Sequence, residues 1–192
     1  MMDWSRSVSL RIAAHIMAGG GVIAYPTEGV WGLGCDPFNQ SALKNLNLLK
    51  KRDPTKKFIL LVDSIEHLKR YVPHIHPRIE TLLHYHTHPL TVVYSDPQNL
   101  PEHLLSEDRT IAIRIVLNAF CKRLIKQFDR PLVSTSANVA GSPFPRNRTD
   151  VEQVIIDGVD YVVTDETDKT PDPSPSVIVK YDNKGELIFL RD

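Results

Sequence analysis

The stretch "SVIVKYDNKGELIFLR", residues 176–191, contains two apolar runs separated by the turn residues "DNKG". Short apolar runs bounded by Asp, Asn and Gly predict two β-strands joined by a tight turn. So short a turn cannot carry the crossover that parallel strands require, so these two strands must pair antiparallel. A sheet that also contains strands joined through helices is therefore mixed.

Strand and helix signals alternate through the rest of the chain. Helices are predicted after Ser5 or Ser7, over residues 41–50 and after Asp63 or Ser64. Another helix is expected between the last two of the strands below, and a capping box of Thr149 and Glu152 predicts one more. The apolar runs that predict the strands lie at 22–25, 58–62, 90–94, 111–115 and 131–135. The pattern indicates an α/β fold, a twisted mixed sheet flanked by helices, and the length fits a single domain over residues 1–192.

Composition excludes several classes of protein. Lys and Arg total 23, as do Asp and Glu, so no net charge draws the chain toward nucleic acid or an anionic membrane. Its longest apolar runs are far shorter than the roughly 18 residues of a membrane span, and its start lacks the pattern of a signal peptide. The two cysteines, Cys35 and Cys121, lack metal-type spacing, and a reducing cytosol fits them best. A cytoplasmic protein without a membrane partner is expected.

Two segments place polar chemistry where predicted strands begin or end. In "YPTEGVWGLGCD", residues 25–36, glycines allow backbone amides to approach a ligand, although an ordinary turn is the alternative. In "LKKRDPTKKF", residues 49–58, Lys and Arg are concentrated between a helix and a buried strand. Most charge runs are solvated, but ligands of open α/β folds bind at such a position, and phosphates need paired cationic donors.

Arg114 and the segment "PLVSTSANVAG", residues 131–141, add uncharged donors and one further cation. Arg114 interrupts the otherwise apolar strand "IAIRI" and must pair with a carboxylate of the protein or of a ligand. "STSAN" lacks the G-x-S-x-G motif of a serine hydrolase, and its side chains either cap a turn or hold a polar ligand. Only the combination of these segments favours a binding site.

The combination resembles the YrdC/TsaC family of threonylcarbamoyl-AMP synthases. Its motifs occur in the order "YPTEGVWGLGCD", Lys50-x-Arg52 with Lys56, "PLTVVY", "IAIRI", "PLVSTSANVAG" and "PSPSVIV". The resemblance implies a YrdC-like fold with an open concave substrate cleft. It also implies a nucleotidyltransferase that converts ATP, L-threonine and bicarbonate or CO2, with Mg²⁺, to threonylcarbamoyl-adenylate and pyrophosphate. The product would pass to a partner complex that modifies an adenosine beside the anticodon of certain tRNAs.

The same resemblance implies residue roles. Residues implied to hold threonine are Thr27, Arg114, Ser134 and Ser176, with Arg114 as a bidentate donor to the carboxylate. Residues implied to bind the nucleotide are Lys50, Arg52, Lys56, Ser136, Asn138, Arg148 and Arg191; Lys50 and Arg52 are also assigned to catalysis. No protein-bound metal and no general base are predicted.

Three further points stay open in the sequence. The histidines His74, His76, His84, His86 and His88 invite a metal site, but few acidic residues accompany them, and surface histidines are the default interpretation. Residues 165–176 predict a polar, proline-rich surface loop. The alternative function is an RNA-binding module without catalysis that uses the basic segment with Arg146 and Arg148; zero net charge argues against it, leaving at most a weak tRNA contact.

Overall fold

A computed structural model describes residues 4–164, 175–182 and 184–191, with side chains from residue 8. The helices are α1 (Trp4–Ala18), α2 (Gln40–Lys50), α3 (Ile65–Lys69), α4 (Pro77–Tyr85), α5 (Ala119–Phe128) and α6 (Gln153–Gly158), with short 3-10 helices at Glu102–Leu104 and Arg148–Asp150. The strands are β1 (Ile23–Tyr25), β2 (Gly32–Gly34), β3 (Ile59–Val62), β4 (Leu90–Ser95), β5 (Thr110–Ile115), β6 (Leu132–Ser136), β7 (Tyr161–Val162), β8 (Val177–Tyr181) and β9 (Leu187–Arg191).

All of these strands belong to one mixed sheet of order β7-β1-β2-β6-β3-β5-β4-β8-β9. β8 and β9 pair antiparallel across their turn, as the opening stretch predicts. β3 pairs parallel with β5, and β4 pairs parallel with β8. The predicted α/β fold with a mixed sheet flanked by helices is thereby confirmed.

The two faces of the sheet are covered unequally. Apolar side chains of α2, α3, α4 and α6 form a continuous core against one face. On the opposite face α1 and α5 cover only part of the sheet, including Ile23, Leu61 and Leu132. Side chains alternate along β6, so Ser134 and Ser136 lie on the same face as Leu132 but line an open cleft. The partial cover by α1 and α5 therefore leaves room for a site.

One predicted helix start is confirmed and another is wrong. Ser64 caps α3, because its hydroxyl accepts the backbone N–H of His67 at 3.1 Å. Thr149 and Glu152 form no capping box: Thr149 lies in a 3-10 helix and donates to Asn147 Oδ1 at 2.6 Å. Glu152 Oε1 instead accepts the backbone N–H of Val139 at 3.0 Å, and this bond supports the segment after β6.

Two further expectations concern the loop at 165–176 and membrane-spanning segments. Only Pro175 and Ser176 of the predicted loop at 165–176 lie within the described residues. Among the helices of the described ranges, none has the length and apolar character needed to cross a membrane.

Candidate functional site

A cleft of about 600 Å³ opens on the partly covered face of the sheet. It is bounded by the turn after β1, the strands β2, β3, β5, β6 and β8, and the basic loop, which we define as residues 51–57. The lining residues with polar or charged side chains are Thr27, Arg52, Lys56, Lys57, Arg114, Ser134, Thr135, Ser136, Ser176 and Arg191. The cleft thus combines hydroxyl groups with several cations.

All four residues that the sequence assigns to threonine line this cleft. Thr27 and Ser134 are buried, as is Arg114 at 7 % exposure. The Thr27 hydroxyl donates to Val30 O at 2.8 Å and accepts the Gly29 N–H at 3.0 Å. Its hydroxyl therefore closes the turn between β1 and β2 and fixes one wall of the cleft.

Ser176 is held from two sides. Its hydroxyl shares a hydrogen bond of 2.8 Å with Thr91, on the neighbouring strand β4. Arg191 donates to the Ser176 carbonyl from Nε at 3.1 Å and from Nη2 at 2.7 Å. Burial and the nearby Arg114 charge lower the pKa of Arg191. The last described residue of β9 is therefore both a lining residue and a support for Ser176.

Arg114 has a protein carboxylate as its partner. Its Nε lies 3.2 Å from Glu28 Oε1, and the two side chains are 8 % and 10 % exposed. The orientation of the two atoms does not satisfy hydrogen-bond geometry within the described residues, so the attraction is mainly Coulombic. The sequence identified Arg114 but missed Glu28, although Glu28 belongs to the quoted stretch "YPTEGVWGLGCD".

The basic loop forms the cationic side of the cleft. Arg52 is half-buried; its Nη2 donates to Lys57 O at 2.7 Å and its guanidinium lies 4.8 Å from the centre of the Phe58 ring. Lys56 is exposed and lines both the cleft and an adjoining groove of about 390 Å³. These contacts fix the guanidinium of Arg52 while the ammonium of Lys56 stays accessible to an anion.

The adjoining groove receives Lys50 and Asn138, which do not line the cleft itself. Lys50 is 4 % exposed, and its ammonium donates to the carbonyls of Ser136 and Asn138. Burial, together with the nearby charge of Arg52, lowers the pKa of Lys50 to about 8, and Glu152 opposes the shift. Both residues therefore belong to the same region as Arg52 and Lys56.

Comparison with known protein families identifies the family of this chain. The family model Sua5/YciO/YrdC, described as "Telomere recombination", matches residues 15–192. The chain belongs to the Sua5/YciO/YrdC family. This match confirms the resemblance drawn from the motifs.

Individual members of the Sua5/YciO/YrdC family agree with this. The chain is 34% identical over 176 residues to a threonylcarbamoyl-AMP synthase of Cellvibrio japonicus, covering 91% of this chain and 93% of the relative. It is 33% identical over 191 residues to the Coxiella burnetii protein of that name, covering 99% and 100%. A double-alanine variant of P. abyssi Sua5 has the same fold, with a TM-score of 0.83 and 25% identity. That similarity covers 95% of this chain but only 52% of the Sua5 chain, about half its length.

Arg148, which the resemblance assigns to the nucleotide, lines neither the cleft nor the adjoining groove. It is exposed in the 3-10 helix at Arg148–Asp150, whereas Arg146 lines a separate groove of about 460 Å³ with Asp150 and Glu152. The assignment of Arg148 to the nucleotide stays a prediction.

The predicted histidine cluster lies along and beside α4. His76 caps its N-terminus, His84 lies on it and His86 follows its end, while His74 and His88 are exposed. In the part of the chain that the structure describes, no three His, Cys, Asp or Glu side chains group as metal ligands.

Besides Glu28, the lining residue Phe144 and the supporting residue Thr91 were not predicted from the sequence. Phe144 is 52 % exposed where the cleft meets the adjoining groove, and its ring offers a face on which a nucleobase can stack. Thr91 supports Ser176 from β4. An aromatic residue among prolines in "GSPFPR" is the one signal that could have indicated Phe144.

Proposed function

We propose that this protein is a threonylcarbamoyl-AMP synthase, a nucleotidyltransferase that makes L-threonylcarbamoyl-adenylate and pyrophosphate from ATP, L-threonine and bicarbonate or CO2. The observation that carries the proposal is the cleft, in which Arg114 and five hydroxyl side chains lie together with the cations of the basic loop. Relatives named for this activity match nearly the whole chain and support the same assignment.

The threonine site is the part of the cleft around Arg114. Its guanidinium would take the carboxylate of threonine as a bidentate donor. The hydroxyls of Ser134 and Ser176 lie in the same cleft and would pair with the remaining polar atoms of threonine. The hydroxyl of Thr27, which already bonds within its own turn, would contribute shape and any remaining acceptor capacity.

The nucleotide site is the part of the cleft around the basic loop. Arg52, Lys56 and Arg191 would face phosphates, with Ser136 supplying a hydroxyl and Asn138 supporting the adjoining groove. The exposed ring of Phe144 would stack on adenine. Arg148 is retained as an outer phosphate contact.

The chemistry requires no nucleophile from the protein. The amine of threonine adds to CO2 and loses a proton, which gives a carbamate. A carbamate oxygen then forms a bond to the α-phosphorus of ATP while the bond from that phosphorus to the pyrophosphate oxygen breaks. Arg52 and Lys56 would stabilise the charge that develops on the phosphate oxygens, so catalysis consists of positioning and electrostatics.

Magnesium is proposed as a cofactor that arrives with ATP. Mg²⁺ prefers oxygen ligands and commonly uses substrate phosphates, waters and one or two carboxylates. The described residues fit this mode: Asp53 lines the adjoining groove beside Lys56, and its bonds to Thr55 lower the pKa of its carboxyl, which keeps it ionised. Bound there, the metal would neutralise charge on the phosphates.

The wider setting is part of the same proposal. A cytoplasmic, single-domain enzyme would hand its adenylate to a partner complex that modifies tRNA, with at most a weak tRNA contact of its own. The alternative of an RNA-binding module without catalysis rests on the Lys and Arg residues of the basic segment together with Arg146 and Arg148, all of which have exposed or half-buried side chains except Lys50.

Pyrophosphate release decides between these functions. The protein is incubated with ATP and Mg²⁺, threonine and bicarbonate are omitted in turn, and the adenylate is detected by mass. The synthase requires release to depend on both omitted substrates. Release that is absent or indifferent to threonine contradicts the proposal, and RNA binding that weakens steeply with salt would then favour the alternative.

A further inference from the structure

Lys50 is the last residue of α2, and its ammonium points at the segment that follows β6. Nζ donates to the carbonyl of Ser136, to the carbonyl of Asn138 at 2.6 Å, and more weakly to Asn138 Oδ1 at 3.5 Å. A lysine ammonium has three N–H donors and no acceptor. The three protein acceptors therefore occupy all the donors that Lys50 has.

Backbone hydrogen bonds tie the same segment to α2 and to Trp31, the residue before β2. Ala140 donates its N–H to the Lys50 carbonyl at 2.8 Å, and Ala137 donates to Trp31 O at 2.7 Å. Asn138 Nδ2 donates to Ser142 O at 2.6 Å, which closes the segment on itself. Residues 136–140, which we call the tied segment, thus depend on Lys50 through both its side chain and its backbone.

The neighbouring cations differ from Lys50 in burial. Lys56 is exposed and lines both the cleft and the adjoining groove, whereas Lys50 is almost completely buried. An accessible ammonium can rearrange around a phosphate at little cost. A buried ammonium that turned to a phosphate would leave two backbone carbonyls without donors, which is costly in a protein interior.

We propose that Lys50 is a positioning residue that holds the tied segment, and through it the hydroxyls of Ser134 and Ser136, and that it does not bind a phosphate of the substrate. This inference rests on the proposed synthase function for its meaning, but it concerns contacts that exist without turnover. It replaces the sequence-based assignment of Lys50 to the nucleotide and to catalysis.

The two roles respond differently to the number of phosphates on a nucleotide. A residue that binds the β- or γ-phosphate contributes more to the affinity for ATP than to that for AMP. A residue that positions the tied segment contributes equally to AMP, ADP and ATP, and also to threonine, because Ser134 and Ser136 lie in the common cleft.

The test compares Lys50→Met with Lys56→Met, since both replace one lysine of the same region by an uncharged chain of similar length. Binding of AMP, ADP, ATP and threonine is measured by titration calorimetry. We expect Lys50→Met to weaken all four ligands by a similar factor of about ten, the loss of one charge-assisted contact. Lys56→Met should weaken ATP more than AMP and leave threonine unchanged. A loss in Lys50→Met that grows from AMP to ATP and spares threonine would overturn the proposal.

A second variant covers the case in which Lys50→Met does not fold. Lys50→Arg keeps the charge and binds phosphates at least as well, but its planar guanidinium does not match acceptors arranged for an ammonium. Retention of ATP affinity in Lys50→Arg, with threonine affinity also retained, would contradict the positioning role. Amide hydrogen exchange at Ala137 and Ala140 should accelerate at least tenfold in Lys50→Arg, and unchanged exchange there would likewise overturn it.

The exchange measurement also separates this inference from the proposed function. It needs no substrate, so it reports on Lys50 even if the wild-type protein releases no pyrophosphate. The wild-type protein could release no pyrophosphate in the substrate-omission experiment while exchange is accelerated in Lys50→Arg. That pair of results would reject the synthase function and retain the role of Lys50 in holding the tied segment.

Discussion

Arg114, which lines the cleft, and Glu28 form a buried ion pair with Nε and Oε1 3.2 Å apart. Glu28 approaches the guanidinium from the side of Nε, and within the described residues no hydrogen bond uses either terminal nitrogen of Arg114. Glu28 therefore compensates the charge of Arg114 while leaving its bidentate edge available for a carboxylate.

Replacing Glu28 by Gln should raise the KM for threonine about tenfold, because the guanidinium would lose the charge that orients it. The KM for ATP should stay within about twofold. Steady-state pyrophosphate release with each substrate varied checks both values, and Glu107→Gln, at an exposed position, is the matched control. Unchanged or tighter threonine binding would show that Glu28 does not orient Arg114.

Arg114→Ala should abolish threonine binding while ATP still binds. It should also lower the free energy of unfolding by about 3 kcal/mol or more, because it leaves a buried carboxylate without its cation. In the double variant Arg114→Ala with Glu28→Gln, stability should recover while threonine binding does not. Calorimetric binding and urea unfolding measure the two effects, and threonine affinity retained in Arg114→Ala would return Arg114 to a purely structural role.

Arg191→Gln should weaken threonine binding about tenfold, because Ser176 loses three hydrogen bonds from the guanidinium, two to its carbonyl and one to its hydroxyl. Arg78→Gln is the control, since it removes an exposed ion pair with Glu186 in the same part of the fold. Exposed pairs of this kind contribute at most about 1 kcal/mol. Equal effects of the two substitutions on threonine binding would argue against a specific support of Ser176.

Gly34→Ala should destabilise the fold by about 1–3 kcal/mol or more. A methyl group there would lie 2.7 Å from Val133 O and 2.8 Å from the Tyr25 ring, and neither can move away freely. At Gly19 the nearest atom would be 3.4 Å away, so Gly19→Ala should change stability little or raise it. Urea unfolding of both variants compares them, and equal stabilities would contradict the packing argument.

Nucleotide affinity should decline as pH rises through about 8, where Lys50 loses its proton. A neutral amine has only two N–H donors for the three acceptors of the tied segment. The charged groups that act on Lys50 are Arg52 and Glu152, so Glu152→Gln should move the decline to lower pH. Binding of ATP is measured without threonine, whose own amine titrates nearby, and a flat profile from pH 7 to about 9.5 would exclude this role of Lys50.

Stability should change in the opposite direction over the same range. The pKa of Lys50 in the folded protein lies below its ordinary value of 10.5, so between about pH 8 and 10.5 the unfolded chain binds more protons. The contribution of Lys50 to the free energy of unfolding therefore increases with pH there. Urea unfolding at several pH values thus shows whether a decline in nucleotide affinity reflects weaker contacts between Lys50 and the tied segment or unfolding of the protein.

The sequence predicted the strands with apolar runs and missed those formed through pairing. β2 reads as a glycine loop, yet it is a strand because β1 and β6 flank it, and its glycines make room for the ring of Tyr25 and for atoms of β6. α4, which begins with Pro77 behind His76, was not predicted, and the histidines around it were interpreted by default as surface residues.

The site shows the same division. Unusual residues in apolar strands, such as Arg114 and the hydroxyls of "STSAN", are visible in a sequence because they violate its pattern. Glu28 violates none, and its partner is distant in the chain, so only the fold reveals the pair. Lys50 could be grouped with Arg52 and Lys56 from the sequence, but the choice between a phosphate and a backbone carbonyl as its partner depends on tertiary contacts.

Arg191 belongs to β9, the strand at one edge of the sheet, where Leu187 to Leu190 are all exposed. An edge strand with little buried surface opens more readily than the centre of a sheet. Because its last residue supports Ser176, each opening of this edge would also dismantle part of the cleft. Ligand binding in the cleft should then oppose opening of this edge, so the protein with an empty cleft is expected to be cut by proteases more readily than the liganded protein.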